Sequence, residues 1–396
     1  MRKSTNLGLV LLLTGALLGN TLSGCAAGQC ETDSSNTTGT GAENAGISGE
    51  IPGLTLEETL EPQYAKGYTI YYYQGGYKVI DVHDSAKYLL VPEDGKVPEG
   101  LSEDMVVLQM PLDHIYLAAT SAMALFDAVD ALDHIRLSGT ESSDWYIDNA
   151  VNAMESGDIL FAGKYSEPDY ELLLDEGCDL AIESTMILHT PKVQEMIEEL
   201  GISVFLDYSS YEEHPLGRTE WIKVYGAMTD KDEEASEFFA EQAEVIEELK
   251  DFQNTEKTVA FFYVSTTGQV VVRKSDDYIP AMIEIAGGRY IFDDLENTSS
   301  NSPSVNMTME EFYATAVDAD YLIYNSSIDN QIHSMDELTA KSELFEDFKA
   351  VQNGNVWCTG KYLYQATDIV GNLITDIHNV VTDNTSAEMS FLYKVD

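Results

Sequence analysis

The chain has 396 residues, with 21 Lys plus Arg against 69 Asp plus Glu and a formal net charge of −48. Such a charge excludes nucleic acid as a natural partner, since the phosphate backbone would meet a strong field of its own sign. The length suffices for two lobes with proper cores, and four cysteines are too few for a disulfide framework in a chain this size.

Arg2 and Lys3 precede an uncharged apolar run over 7–18, well short of the roughly 20 apolar residues that span a bilayer, which reads as a signal peptide. Leu22, Ser23, Gly24 and Cys25 follow, and the sequence resembles a bacterial lipobox. The expectation is a signal peptide over 1–24, with lipid on Cys25 anchoring the mature chain outside the cytoplasm. Two basic residues and no acidic one leave with it, taking the formal charge from −48 to −50. Residues 25–62 are rich in Gly, Ser, Thr, Asn and Glu and poor in large apolar side chains, a composition predicting a flexible tether.

Alternating aromatic, β-branched and polar residues over 68–80, centred on Gln74-Gly75-Gly76, predict a hairpin, and 87–91 and 105–110 are further short apolar runs. Beyond them helical and strand-like stretches alternate. Helices are expected over 121–131, 144–155, 169–176 and 191–200, and strands over 135–137, 179–182 and 202–206. Such βαβ alternation implies a parallel sheet covered by helices. Over 218–252, Val224, Tyr225, Met228, Ala235, Phe238, Phe239, Ala243, Ile246 and Leu249 recur at helical spacing. That predicts a long amphipathic helix, or two in series, joining two lobes. Strands over 258–264, 270–272 and 321–324 and helices over 278–286 and 308–316 resume the alternation. The expected fold is α/β, with two lobes of mainly parallel sheets joined by one long connector helix. Its parts are an N-terminal α/β lobe over 63–217, the connector over 218–252 and a C-terminal α/β lobe over 253–396.

An internal echo links the lobes: PDYELLLDEGCDLAI (168–182) matches TMEEFYATAVDADYLI (308–323), with one extra residue in the second. Each has a carboxylate near a helix start, then an Asp, then a buried strand. These segments, with YSEPDYELLLDEGCDLAIES (165–184), ELGISVFLDYSSYEEHPLGRTEWIKVYGAM (199–228) and MIEIAGGRYIF (282–292), carry a resemblance that covers about 105–380. The chain resembles the helical-backbone substrate-binding lipoproteins of ABC importers for iron-siderophores, haem and cobalamin.

The resemblance implies a glutamate on each lobe that docks on arginines of the permease transmembrane subunits. In this sequence they fall on Glu171 and on Glu311 or its neighbour Glu310. It implies a ligand held between the lobes by loops at the C-terminal ends of strands. The candidates are Ser138, Thr140, Trp145, Ser184, Met186, Tyr208 and Tyr211 on the first lobe, and Tyr263, Arg273, Tyr278, Trp357 and Tyr362 on the second. Aromatic walls suit a broad or chelated ligand. No intrinsic cofactor is expected; the bound ligand is expected to be an iron chelate, haem or a corrinoid, taken up by a monomer. Scarce basic residues favour a neutral or cationic chelate over a polyanionic one. Which side chains ligate a metal, if any do, stays open. His214, ahead of Pro215, reads as a turn or helix-start residue, and Arg218 as the partner of an acid at the lobe junction.

No G-x-S-x-G elbow, H-E-x-x-H, Walker A loop or G-x-G-x-x-G is present, so the usual frameworks for enzymatic chemistry are missing. The remaining rival is a surface sensor or adhesin built on the same lobes without a transporter.

Overall fold

The computed structural model describes residues 50–295, 302–384 and 386–396. The expected signal peptide, Cys25, Cys30 and most of the expected tether lie outside the described residues.

An N-terminal sheet comes first. It runs in the order β1 (Leu56–Leu60), β2 (Tyr68–Tyr73), β3 (Tyr77–Val82), β4 (Lys87–Val91) and β5 (Met105–Gln109). β1 to β4 pair antiparallel and β5 joins parallel to β4. The expected hairpin turns through Gly75 and Gly76, both at positive φ. Side chains alternate with the pleat: Tyr68, Ile70, Ile80, Tyr88 and Leu90 face the main core, whereas Tyr71, Tyr73, Val79, Leu89 and Val91 form an outer cluster with Ile51. The tether expected to reach residue 62 is therefore shorter, because Ile51 is buried and β1 pairs with β2. These strands also stand apart from the parallel sheet of the first lobe. β1 to β4 are joined by short loops with no crossover helices, as antiparallel pairing permits, and the longer 92–104 segment carries the chain to the parallel β5.

Lobe 1 follows as β6 (Ile115–Leu117), α1 (Met123–Ala128), β7 (Ile135–Ser138), α2 (Asp148–Ser156), β8 (Leu160–Phe161), the small hairpin β9 (Gly163–Lys164) and β10 (Glu167–Pro168), α3 (Tyr170–Asp175), β11 (Leu180–Ser184), α4 (Pro191–Glu199) and β12 (Ser203–Asp207). Its sheet is parallel throughout, in the order β12-β11-β6-β7-β8. Leu180, Ile182 and Phe205 enter the main core from one face, and Tyr116, Ala181, Val204 and Leu206 enter a second cluster from the other. Burial on both faces is what a helix-covered parallel sheet produces.

The connector expected as one long helix, or two in series, is three: α5 (Pro215–Glu220), α6 (Ile222–Met228) and α7 (Asp232–Leu249). The first break falls at Trp221, which ends α5 and opens α6. The second falls at 229–231, where Asp230 takes the left-handed region at φ 55. Gly226 makes this corner possible, since a Cβ there would lie 2.6 Å from the Ala235 Cβ and 2.8 Å from the Lys231 carbonyl oxygen. The apolar periodicity is real, but α6 and α7 fold against each other and share it.

Lobe 2 comprises β13 (Thr258–Val264), β14 (Val270–Arg273), α8 (Tyr278–Ile285), β15 (Arg289–Tyr290), β16 (Ser304–Met307), α9 (Met309–Ala316), β17 (Tyr321–Tyr324), α10 (Met335–Thr339), α11 (Lys349–Gln352), β18 (Val356–Thr359), α12 (Val370–Val381) and β19 (Leu392–Lys394). Its sheet order is β16-β14-β13-β17-β18-β19, with β15 also on β13. The inner strands β13, β17 and β18 and the short β15 are parallel, β14 and β19 run against them, and β16 pairs antiparallel with β14 at the edge. No described helix is long and apolar enough to cross a membrane.

Candidate functional site: the cleft between the lobes

The loop that follows β7 in lobe 1 meets the loops that leave the C-terminal ends of β17 and β18 in lobe 2. A cavity of about 240 Å³ opens there, lined by Tyr146 of lobe 1 and by Ser326, Ser327, Asp329, Asn330, Lys361 and Tyr364 of lobe 2. Tyr146 and Tyr364 are half-exposed, as rings that await a partner would be. Asp329 is held by Lys341 Nζ at 2.6 Å and by the Tyr324 hydroxyl. Burial pushes its carboxyl up, but those two donors outweigh it and keep the pKa below the ordinary value.

Gln365 crosses the cleft beside this cavity. Its Nε2 donates to the Asp144 carbonyl at 2.8 Å and to the Tyr364 hydroxyl at 3.0 Å, and its Oε1 accepts the Tyr146 N–H at 2.8 Å. One lobe 2 amide thus ties the loop after β7 to the loop after β18. Deeper, Arg218 of α5 stacks on Tyr278 of α8 with its guanidinium carbon 4.0 Å from the ring centroid, and Thr219 Oγ1 donates to the Thr367 carbonyl at 2.8 Å. Arg218 thus meets a ring and donates to the Ser210 carbonyl at the junction, and its charge also acts on the carboxyl of Asp277, an acid of lobe 2. His214 opens α5 by accepting the Leu216 N–H at 3.2 Å, the helix-start role read for it.

The other expected ligand residues divide. Ser138 is fully buried, accepting from the Thr140 N–H and Trp145 Nε1, so Ser138 and the buried Trp145 shape the loop after β7 from inside, and Thr140 is half-buried beside them. Trp357 is buried in β18, and the Tyr362 hydroxyl donates to the Ser390 carbonyl while its ring packs on Phe391, so both serve the lobe 2 core. That corrects the expectation of a ligand wall at Ser138, Trp145, Trp357 and Tyr362: an aromatic residue near a strand end is as apt to fill a core as a cleft. Ser184 caps the turn that carries exposed Met186 at the C-terminal edge of lobe 1. Tyr208 and Tyr211 line a separate cavity of about 250 Å³ against Lys66, His83 and Asp84 of the N-terminal sheet region. Tyr263 is half-buried on β13. Arg273 pairs with Asp277 at 3.5 Å and lies 5.8 Å from the Tyr278 ring centroid. Tyr278 is thereby flanked by two guanidiniums. Tyr146, Gln365 and the 327–330 loop were missed in the sequence; each is a polar or half-exposed loop residue with no spacing signal.

Glu183 sits one residue before the end of β11, fully buried, and neither carboxyl oxygen has a hydrogen-bond partner among the described residues. Burial pushes its pKa up to about 8.

The possible docking acids differ in surroundings. Glu171 is exposed in the first turn of α3, whose start is capped by Asp169. On α9 the Glu311 carboxylate is used by its own capping box, accepting the Thr308 N–H at 2.8 Å and its hydroxyl at 3.0 Å, whereas Glu310 points outward. Among the described residues no group of three or more His, Cys, Asp or Glu converges as a metal site.

The chain is similar to known proteins in sequence and in fold. An uncharacterized lipoprotein of Methanocaldococcus jannaschii is 26% identical over 352 residues, covering 80% of this chain and 81% of its own. A possible iron-binding (periplasmic solute-binding) protein from Staphylococcus epidermidis shares the fold at a TM-score of 0.53 and 17% identity, covering 68% of this chain and 98% of that one. A periplasmic haem-binding protein from Pseudomonas aeruginosa does so at a TM-score of 0.55 and 13% identity, covering 72% and 98%. With two α/β lobes, a helical connector and a loop-lined cleft, and with the periplasmic binding protein family matching residues 122–363, the chain belongs to that family of substrate-binding proteins that work with ABC permeases.

Proposed function

We propose that the protein is the capture subunit of an ABC importer, anchored outside the cytoplasm by lipid on Cys25, acting as a monomer. It takes an iron complex, a siderophore chelate or haem, between its lobes and hands it to the permease. The observation that carries this reading is the cleft itself, a polar cavity with a tyrosine on each wall, spanned by Gln365. At about 240 Å³ it lies below the roughly 300–1,000 Å³ usual for ligand sites, so capture involves breaking the Gln365 bridge and parting the lobes. On the permease side, Glu171 and Glu310 are the docking pair this reading favours, because the Glu311 carboxylate is engaged by Thr308.

The test is to titrate the purified protein separately with haemin, a ferric hydroxamate, a ferric catecholate and cyanocobalamin, following visible absorbance and tryptophan fluorescence. Saturable binding of haemin or of one ferric chelate is expected. Binding of cyanocobalamin alone moves the assignment to the corrinoid members of the resemblance, and binding of none sinks it.

A further inference from the structure

The N-terminal sheet precedes the stretch that matches the family, and its polar contacts converge on the segment that joins the lobes. A connector broken at two points has two places to bend. Each is held from the same side.

At the first break, two buried carboxylates grip the backbone that leads into β2. Glu220, fully buried, accepts the N–H groups of Gln63 at 2.9 Å, Tyr64 at 2.7 Å and Ala65 at 3.0 Å. Glu212 accepts those of Lys66 and Gly67, both at 2.9 Å, together with Trp221 Nε1 at 2.9 Å. The approach is so close that a Cβ on Gly67 would lie 2.9 Å from both Glu212 Oε1 and Trp221 Cζ2. Tyr68 closes the clamp by donating to the Glu220 carbonyl at 2.7 Å and packing edge-on against Trp221.

At the second break, Lys78 of β3 reaches into the α6–α7 corner. Its Nζ donates to the Ala227 carbonyl at 3.0 Å, to Asp230 at 2.8 Å and to Asp232 at 2.7 Å, and the Tyr72 hydroxyl donates to Asp232 at 2.8 Å. Lys78 is buried and Asp232 half-buried, so their charge-assisted bond is screened less than the one to exposed Asp230. The sheet is also fixed to lobe 1, with the Tyr88 hydroxyl donating to the Val204 carbonyl of β12 at 3.0 Å. The far side of the connector packs on lobe 2, α5 against α8 and α12 and α7 against α12.

We infer that the N-terminal sheet is a brace, which pins both breaks of the connector to lobe 1 and so sets how far the two lobes swing apart. This inference does not depend on which ligand the cleft takes. It makes interlobe stiffness a property of a module that precedes the matched family region, where an unbroken helix would have supplied it from within.

The test uses the full chain with Cys25 and Cys30 changed to Ser and spin labels on Leu188→Cys of lobe 1 and Ile328→Cys of lobe 2, both exposed positions. Label-to-label distances are measured without ligand, and hydrogen exchange of the 63–67 amides reports the clamp. In Glu212→Gln/Glu220→Gln the amides are expected to lose protection and the distances to broaden and lengthen. Lys78→Met, which leaves the first clamp intact, is expected to broaden them less, and it keeps the test alive if the double variant does not fold. Released amides with an unchanged distance distribution overturn the brace. So do amides that stay protected in the double variant, and so does an unchanged distribution in Lys78→Met.

Discussion

In lobe 1 the stretch 168–182 becomes α3 and β11, and in lobe 2 its echo over 308–323 becomes α9 and β17. β11 lies between β6 and β12, and β17 lies between β13 and β18, so the echo occupies equivalent places. The aspartate ahead of each strand does the same work. Asp179 accepts the N–H groups of Asp113 and His114 just before β6, and Asp320 accepts the N–H and hydroxyl of Thr258 at the start of β13. Their charges fare differently. Burial holds the Asp179 carboxyl above its ordinary pKa. Burial acts on Asp320 too, but Lys349 at 2.7 Å and Thr258 outweigh it and keep its carboxyl below that value. Identical backbone duties thus leave ionisation to whatever cation a distant segment brings.

The contrast extends to the most buried acids of the two lobes. Glu183 of lobe 1 has no partner for either oxygen among the described residues, whereas Asp376 of lobe 2 accepts the N–H groups of Ser390, Phe391 and Leu392 and fastens the start of β19 to α12. If partnership decides the sign of a buried acid's contribution, the largest effect belongs to Asp376→Ala. It orphans three backbone donors and is expected to cost about 3 kcal/mol or more in chemical denaturation, since each buried unsatisfied group costs ~1–3 kcal/mol. A loss under ~1 kcal/mol would break the comparison.

Glu183→Met is expected to act in the opposite direction. With the folded pKa near 8 and the unfolded one near the ordinary 4.5, the native state holds the proton more tightly than the unfolded chain. Stability from this group is complete below about pH 4.5 and is lost as pH rises toward about 8, by up to ~1.4 kcal/mol per unit. The variant should therefore be the more stable protein at pH 8, by about 2–4 kcal/mol, with the gap shrinking at pH 5. Parallel stability–pH curves for the two proteins would show that Glu183 is not the titrating group.

The smallest effect compares the echo partners. Asp320→Asn removes the ion pair with Lys349 and weakens the hold on Thr258, for a loss of about 1 kcal/mol that fades as acid protonates the wild-type carboxylate. Asp179→Asn, replacing a carboxyl that burial already disfavours as an anion, is expected to cost less at neutral pH. Equal losses in thermal melts at pH 7 would mean that Lys349 adds nothing.

The sequence by itself determined the two α/β lobes, most of their strands, the helical character of 218–252 and the equivalence of the echoed segments. These rest on period-2 and period-3.6 patterns and on short-range punctuation, which neighbouring residues carry alone. Thr258–Val264 and Tyr321–Tyr324 emerge as strands over the expected residues. Only the tertiary structure decided that the connector breaks, because Gly226 within a helical pattern reads as tolerated until Ala235 is seen against it. Only it decided that Ser138, Trp145, Trp357 and Tyr362 serve the cores while Tyr146, Tyr364 and Gln365 meet in the cleft, since burial depends on what lies across from a side chain. The clamp of Glu220 on 63–65 and the reach of Lys78 to Asp232 join residues more than 150 positions apart. In a chain with 69 acids no local pattern marks which few are buried; the fold brings otherwise unpaired backbone donors to Glu220, Glu212 and Asp376, and brings none to Glu183 among the described residues.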